Sequence, residues 1–292
     1  MLSDLSTKQL KELKEIVKEY KPKYREIIDV PGEIKFGCEV EFNTKEKYKF
    51  YKNYIDPKYK VICDASGMDI VEVISPIMHN CKEDWESLRN TLIDIKGASD
   101  AKISANSGGH IHFDHTIVDD DNILSLLKLW NVIESTIYDF SKGEFEKLRD
   151  SSKIYAQKLN GLENKISSIE SGKLPLKSLK KYGKKHGLNL NNHFSYLSFL
   201  KNSIDTYEVR VPNGSLNINI WQNNVEFFSN LFYYANNIDN KKIISDLYES
   251  KKYFEKYKKR LMVADMLYSN EAAKIRFLNQ FEQKEGLKKA LL

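Results

Sequence analysis

Asn106-Ser107-Gly108-Gly109-His110-Ile111-His112-Phe113-Asp114 is the stretch from which the rest of the chain can be read. Side chains two apart on a strand share a face. The alternation therefore sets Ile111 and Phe113 on one side and His110, His112 and Asp114 on the other. One face is fit for a core. The other carries two imidazoles and a carboxylate, groups that suit a metal or a phosphate. Phe36-Gly37-Cys38-Glu39-Val40-Glu41-Phe42 repeats the design, with Glu39 and Glu41 opposite Phe36, Cys38, Val40 and Phe42. So does Thr206-Tyr207-Glu208-Val209-Arg210-Val211, with Glu208 and Arg210 opposite Tyr207, Val209 and Val211. If the three strands pack in one sheet, their apolar faces form a core and their polar faces meet.

A fourth run, Met68 to Ile74, puts Ile70, Glu72 and Ile74 on one face and Val71 and Val73 on the other. Glu72 is costly to bury ionised unless a cation or metal pairs with it. Val61-Ile62-Cys63-Asp64 precedes this run and Pro76 ends it. Helical spacing of apolar residues predicts helices over 4–20, 82–96 and 120–141, the last with Asp119, Asp120 and Asp121 where acidic groups suit the macrodipole. From Asn224 onward the pattern is helical. Phe194 to Leu200 reads as a strand and Pro212-Asn213-Gly214-Ser215 as a turn. The stretch 143–190 is the least legible, and its lysine-rich part, 173–185, reads as a solvated helical face or a loop rather than a basic flap over an anionic ligand. The expected class is α+β, a mostly antiparallel sheet flanked by helices. No repeat and no composition shift marks a second unit. One domain over 1–292 is expected, with a helical arm at 1–30, a core at 31–235 and helices at 236–292.

The 292 residues are 41% hydrophobic and 12% aromatic, which excludes general disorder. A net charge of +5 is mild, and nucleic-acid binders concentrate charge more sharply. No nucleic-acid partner is expected, whereas anionic substrates such as nucleotides fit. Cys38, Cys63 and Cys81 are odd in number and form no CxxC, so neither a disulfide framework nor thiolate-held zinc is expected. The N-terminus carries no uninterrupted apolar run and nothing reaches membrane-spanning length, so the expectation is a soluble, cytoplasmic protein without a membrane partner.

Hard cations such as magnesium take oxygen ligands and keep company with phosphates. Glu39, Glu41, Glu72 and Glu208 offer such ligands from separate strands, and a histidine can complete a site for magnesium or manganese. Arg210, on the face of Glu208, suits a transferring phosphoryl group. Together these groups point to nucleotide-dependent phosphoryl transfer rather than plain hydrolysis. Each also has an ordinary reading: Glu39 and Glu41 a solvated sheet face, Glu208 with Arg210 a plain ion pair, Asp64 and Ser66 a turn, Arg149 a surface arginine. His79, His115 and His186 are read as structural or exposed, and Trp85 and Trp130 as core.

The motifs around Glu39 and Glu41, Asp64-Ala65-Ser66 with Glu72-Val73-Ile74-Ser75-Pro76, Gly108-Gly109-His110-Ile111-His112, and Thr206-Tyr207-Glu208-Val209-Arg210 with Gly214-Ser215-Leu216-Asn217 resemble the amidoligase family. That family is similar to glutamine synthetase and the glutamate–cysteine ligases. The resemblance covers about 34–235. It implies a glutamine synthetase-like catalytic domain and an ATP-dependent carboxylate–amine ligase, in which ATP phosphorylates a carboxylate and an amine then displaces phosphate. Carried over, Glu39, Glu41, Glu72 and Glu208 would hold two divalent ions, Mg2+ or Mn2+, between the ATP phosphates, with His110 a metal or phosphate ligand. His112 would lie near the nucleotide or metals, and Arg210 would neutralise the transferred phosphoryl group. Asp64 and Ser66 would serve substrate or nucleotide binding, and Arg149 the nucleotide. The implied partners are a carboxylate and an amine, whether amino acid, peptide or protein side chain. The chain departs from the family at Asn192 to Ser198, where an Arg-Tyr and a Leu-Asn are expected, and lacks a cysteine after Arg149. Two other readings stay open: a metal-dependent hydrolase using the His-x-His pair, and a non-catalytic module that binds nucleotide or metal.

Overall fold

The computed structural model describes residues 2–45, 55–63, 69–98, 100–159, 161–191, 205–250 and 255–290. The expectations for Asp64 and Ser66, the strand expected at Phe194 to Leu200, and the departures at Asn192 to Ser198 lie outside the described residues.

The alternating segments become strands β1 (Lys35–Asn43), β2 (Lys60–Cys63), β3 (Ile70–Ile74), β4 (Met78–His79), β5 (Gly109–Asp114), β6 (Leu188–Asn189) and β7 (Thr206–Val209). They form one sheet in the order β2-β3-β1-β5-β7-β6, with β4 paired to the start of β1 and every pairing antiparallel. Register places Glu39 opposite His110, Glu41 opposite Glu72, and His112 opposite Glu208. A slip of one residue would turn each of these side chains to the other face. The apolar face holds Phe36, Cys38, Val40, Phe42, Val71, Val73, Ile111, Phe113, Tyr207 and Val209, all buried.

Helices cover that face. Phe36 meets Trp85 of the helix Lys82–Gly97 at 5.2 Å between ring centroids. Phe113 and Tyr207 meet Phe232 of the helix Ile218–Asn236 at 5.1 and 6.0 Å. The helix Ile123–Phe140 packs behind, Trp130 on Phe228 and Phe140 on Phe227. The architecture is thus α+β, a mostly antiparallel open sheet flanked by helices. The N-terminal helix Thr7–Glu19 starts with a capping box between Ser6 and Gln9 and buries Leu13 and Val17, while Ile16 stays 53% exposed. It lies against the C-terminal helix Glu271–Ala290, where Asn279 donates to the Val17 and Tyr20 carbonyls.

Several boundaries differ from the expected ones. The long central helix opens with a 3-10 turn, Asp120–Asn122, before its α-helical part. The helix expected from Asn224 starts at Ile218, because the Asn217 side chain caps it by accepting from the Asn219 N–H. Among its described residues the stretch 143–190 holds only short pieces: Ser152–Tyr155, Leu162–Glu170, the 3-10 helix Leu176–Lys181 and β6. Among the described residues no helix is long and apolar enough to cross a membrane.

The helices are pinned by a charged cluster that hydropathy does not reveal. Glu226, 3% exposed, takes Arg25 on one oxygen and Arg276 Nη2 on the other, the latter at 2.8 Å. Arg25 also donates to Asn223 at 2.8 Å. Removing the charge of Glu226 leaves two buried guanidinium groups uncompensated, a loss of about 3–5 kcal/mol. We expect Glu226→Gln to lower the urea-unfolding free energy by that amount, and an unchanged midpoint would show that the cluster is dispensable.

Candidate active site

The sheet register assembles the site. β1 carries Glu39 and Glu41, β3 carries Glu72, β5 carries His110 and His112, and Glu208 comes from β7. With Arg149, Arg210 and Lys184 they line one cleft of about 650 Å³ on the polar face of the sheet. The convergence expected from three alternating strands is therefore present, and Glu72 joins from the fourth.

Glu39 sits at the centre. One oxygen lies 2.9 Å from His110 Nδ1 and the other 2.9 Å from His112 Nε2. Burial works to raise the Glu39 pKa, but the hydrogen bonds and charges of the two imidazoles together outweigh it and hold the carboxyl far below its usual range. Glu208 is buried, which also works to raise its pKa, yet the charges of His112 and Arg210 bring it below the ordinary value. His112 shows the reverse: burial lowers its pKa, while the Glu39 hydrogen bond and the Glu208 charge carry it above the ordinary value. Its Nδ1 lies 3.0 Å from the Thr206 hydroxyl.

Backbone and amide groups hold the carboxylates. Glu41 accepts from the Gly108 N–H at 2.5 Å, and its other oxygen lies 3.6 Å from His110 Nε2. Glu208 accepts from Asn189 Nδ2 at 2.5 Å and is ion-paired to Arg210. The plain ion pair is thus present, but inside the cleft. Arg210 also donates from Nε to the Tyr155 carbonyl at 3.2 Å.

Arg149 is not a surface arginine. It is 4% exposed and donates to the Pro212 and Arg210 carbonyls at 2.7 and 2.9 Å, with Nη2 3.4 Å from His110 Nε2. Asn213 accepts from its backbone N–H. A Cβ on Gly108 would collide with this guanidinium, which explains why glycine precedes the histidine strand. The lysine-rich part is mostly exposed, as read, but Lys184 lines the cleft. Asp114 shares the histidine face yet stands apart, its carboxylate accepting from Thr116. His79 and His115 are exposed.

Among the described residues, two groups of side chains could hold a metal ion, Glu39 with Glu72 and His110, and Glu39 with His112 and Glu208; the ligand atoms of each lie within 4.8 Å of one another. Glu41 belongs to neither. Sequence reading missed Asn189, Thr206 and Asn213. Asn189 had a signal: it stands between Leu188 and Leu190, both buried, a polar residue in strand alternation. Asn213 and Thr206 act through contacts that no local pattern encodes.

Two outcomes follow from this geometry. Gly108→Ala forces Arg149 to move, and overpacking of this kind costs about 1–3 kcal/mol; wild-type stability in urea would refute the close approach. The second concerns pH. The folded pKa of His112 lies above its unfolded one, so its contribution is full below about pH 6.5 and is lost as pH rises through the folded value. Glu39 and Glu208 contribute above about pH 4.3 and lose that contribution as pH falls through their depressed values. In chelator, the unfolding free energy of the wild type should fall above pH 6.5 more steeply than that of His112→Gln. Parallel curves would remove His112 from the ion network.

No curated protein matches the chain. The family model described as "Putative amidoligase enzyme" matches residues 15–232, beginning inside the first helix and taking in every strand and every cleft residue named above. On that match, the chain belongs to the putative amidoligase family.

Proposed function

We propose that the protein is an ATP-dependent carboxylate–amine ligase that forms an amide through an acyl phosphate, on a single glutamine synthetase-like catalytic domain. One observation carries this reading: metal-ligand atoms from four strands cluster around Glu39, with two guanidinium groups on the same cleft. Membership of the amidoligase family supports the ligase class. The donor set fits hard divalent ions. Glu39, Glu41, Glu72, Asp150 and Glu208 against Arg149, Lys184 and Arg210 leave the cleft negative when the imidazoles are neutral, a balance that divalent ions would restore.

Glu39, Glu72, Glu208 and His110 are the residues proposed to hold magnesium or manganese, with Glu41 supporting them from its bond to Gly108. Such ions would screen the phosphate oxygens of ATP and let carboxylate and nucleotide approach. Arg210, tethered by Glu208 and the Tyr155 carbonyl, neutralises charge on the transferring phosphoryl group. Arg149, fixed by two carbonyls, and Lys184 face the nucleotide phosphates. His112 is held between Glu39 and Glu208 and serves as the acid–base group when the attacking amine loses its proton. Asp64 and Ser66 are retained for substrate or nucleotide binding on the family motif alone. The reading needs no nucleic acid or membrane, and it places the reaction in the cytoplasm, where ATP is available.

The test is ADP release from magnesium-ATP against a panel of carboxylates and amines. Turnover should require both substrates and disappear in chelator. Glu39→Gln and Arg210→Lys should each lower kcat by about a hundredfold or more. Hydrolysis that needs zinc and no nucleotide would transfer the site to the hydrolase reading. Nucleotide binding without turnover on any pair would favour a binding module.

A further inference from the structure

A second cavity, of about 430 Å³, shares no lining residue with the cleft. It lies at the C-terminal end of the helix Ile123–Phe140, lined by Ser135, Thr136, Tyr138 and Asp139 of that helix together with Lys142, Leu148, Lys158, Lys256, Lys259 and Arg260. Five cationic side chains therefore face one carboxylate. Asp139 is engaged by Lys142 at 2.7 Å, Lys256 at 3.2 Å and Arg260. One negative charge is shared among three positive ones.

The ordinary account is that these cations satisfy the helix end. It covers only part of the charge. A helix C-terminus offers about half an elementary charge. Two carboxylates outside the lining help: Glu282 lies 4.0 Å from Arg260, and Glu134 feels the charge of Lys158. Positive charge still remains in excess. Lys259 shows it most plainly. Among the described residues its ammonium bonds only neutral groups, the Val132 carbonyl at 3.2 Å and the Ser135 hydroxyl at 3.5 Å. Burial pulls its pKa below the ordinary value with no carboxylate to oppose the shift.

We propose that this cavity is a binding site for a small phosphate-bearing anion of the diphosphate class. The volume lies within the range of small-molecule sites, roughly 300–1,000 Å³. Charge gathered in a cavity, rather than along a stripe, favours a compact polyanion over a nucleic acid. Arg260, held by Asp139 and stacked over Phe281 at 4.1 Å, is a fixed donor suited to phosphate oxygens. Lys142, Lys158, Lys256 and Lys259, from separate segments of the chain, supply point charges. The Ser135 hydroxyl lies beside Lys259 and adds a neutral donor. The position also matters. Leu148 and Lys158 flank the segment whose Arg149 and Tyr155 face the cleft, and Tyr138 donates to the Ala156 carbonyl within it. The site does not depend on the ligase reading.

The test uses the full chain in chelator, without nucleotide. Inorganic pyrophosphate is titrated by calorimetry, and amide hydrogen exchange is followed with and without it. The expected result is one binding event, with slower exchange across 135–142, 148–158 and 256–260. The double variant Lys158→Ala/Lys256→Ala, both positions exposed, should weaken binding by about tenfold or more, and Lys184→Ala in the cleft should leave it unchanged. Absence of binding to the wild type at millimolar pyrophosphate would overturn the proposal. So would full binding by the double variant, or loss of binding in Lys184→Ala. Protection confined to 109–114 and 206–209 would assign the anion to the cleft and overturn it equally.

Discussion

The carboxylate of Glu39, held by His110 on one oxygen and His112 on the other, is the interaction on which the rest of the structure depends. A carboxylate in a mostly buried position is costly unless donors reach it. Here the donors come from the neighbouring strand, two residues apart, which is the spacing that keeps both imidazoles on one face. The pair of bonds is compatible with one β1–β5 register. That register in turn sends Phe36, Cys38 and Val40 with Ile111 and Phe113 into the core beneath. Site and core are the two faces of the same pairing.

Around this centre, the groups that do the positioning are largely backbone. The Gly108 N–H holds Glu41, and the carbonyls of Arg210 and Pro212 hold Arg149. Backbone is a stiff partner once its own sheet and turns are formed, so the charged side chains inherit that stiffness. Side chains add to this: the Asn189 amide holds Glu208 from the short edge strand, and the Thr206 hydroxyl lies 3.0 Å from His112 Nδ1. Farther out, Glu226 with Arg25 and Arg276 ties the helix Ile218–Asn236 to both ends of the chain. The sheet that carries the cleft is thus backed by helices whose own placement depends on buried charge.

How legible each part was follows from element length. β1, β3, β5 and β7 have four to nine residues, enough for a period of two to show. Helices of thirteen residues or more announced themselves by their apolar spacing. The stretch 143–190 did not, because its helical pieces run from four to nine residues, two and a half turns at most, and its one strand has two residues. Arg149 and Lys184 both sit in that stretch, and local pattern suits both to solvent. Arg149 was mistaken because its burial rests on Gly108 and on carbonyls more than sixty residues away. Lys184 is exposed, as its lysine-rich surroundings suggest, and only the fold brings it to the cleft.

The sequence by itself determined which side chains share a face and what chemistry each face carries, since alternation is a local property of an extended chain. It also determined the family, through short motifs in order. Which faces meet was decided only by the tertiary structure. Glu39 and His110 are 71 residues apart, and their contact exists because hydrogen bonds between β1 and β5 choose one register out of several. The same holds for the burial of Arg149 and the amide of Asn189, which are properties of neighbours brought in from elsewhere in the chain rather than of the residues around them.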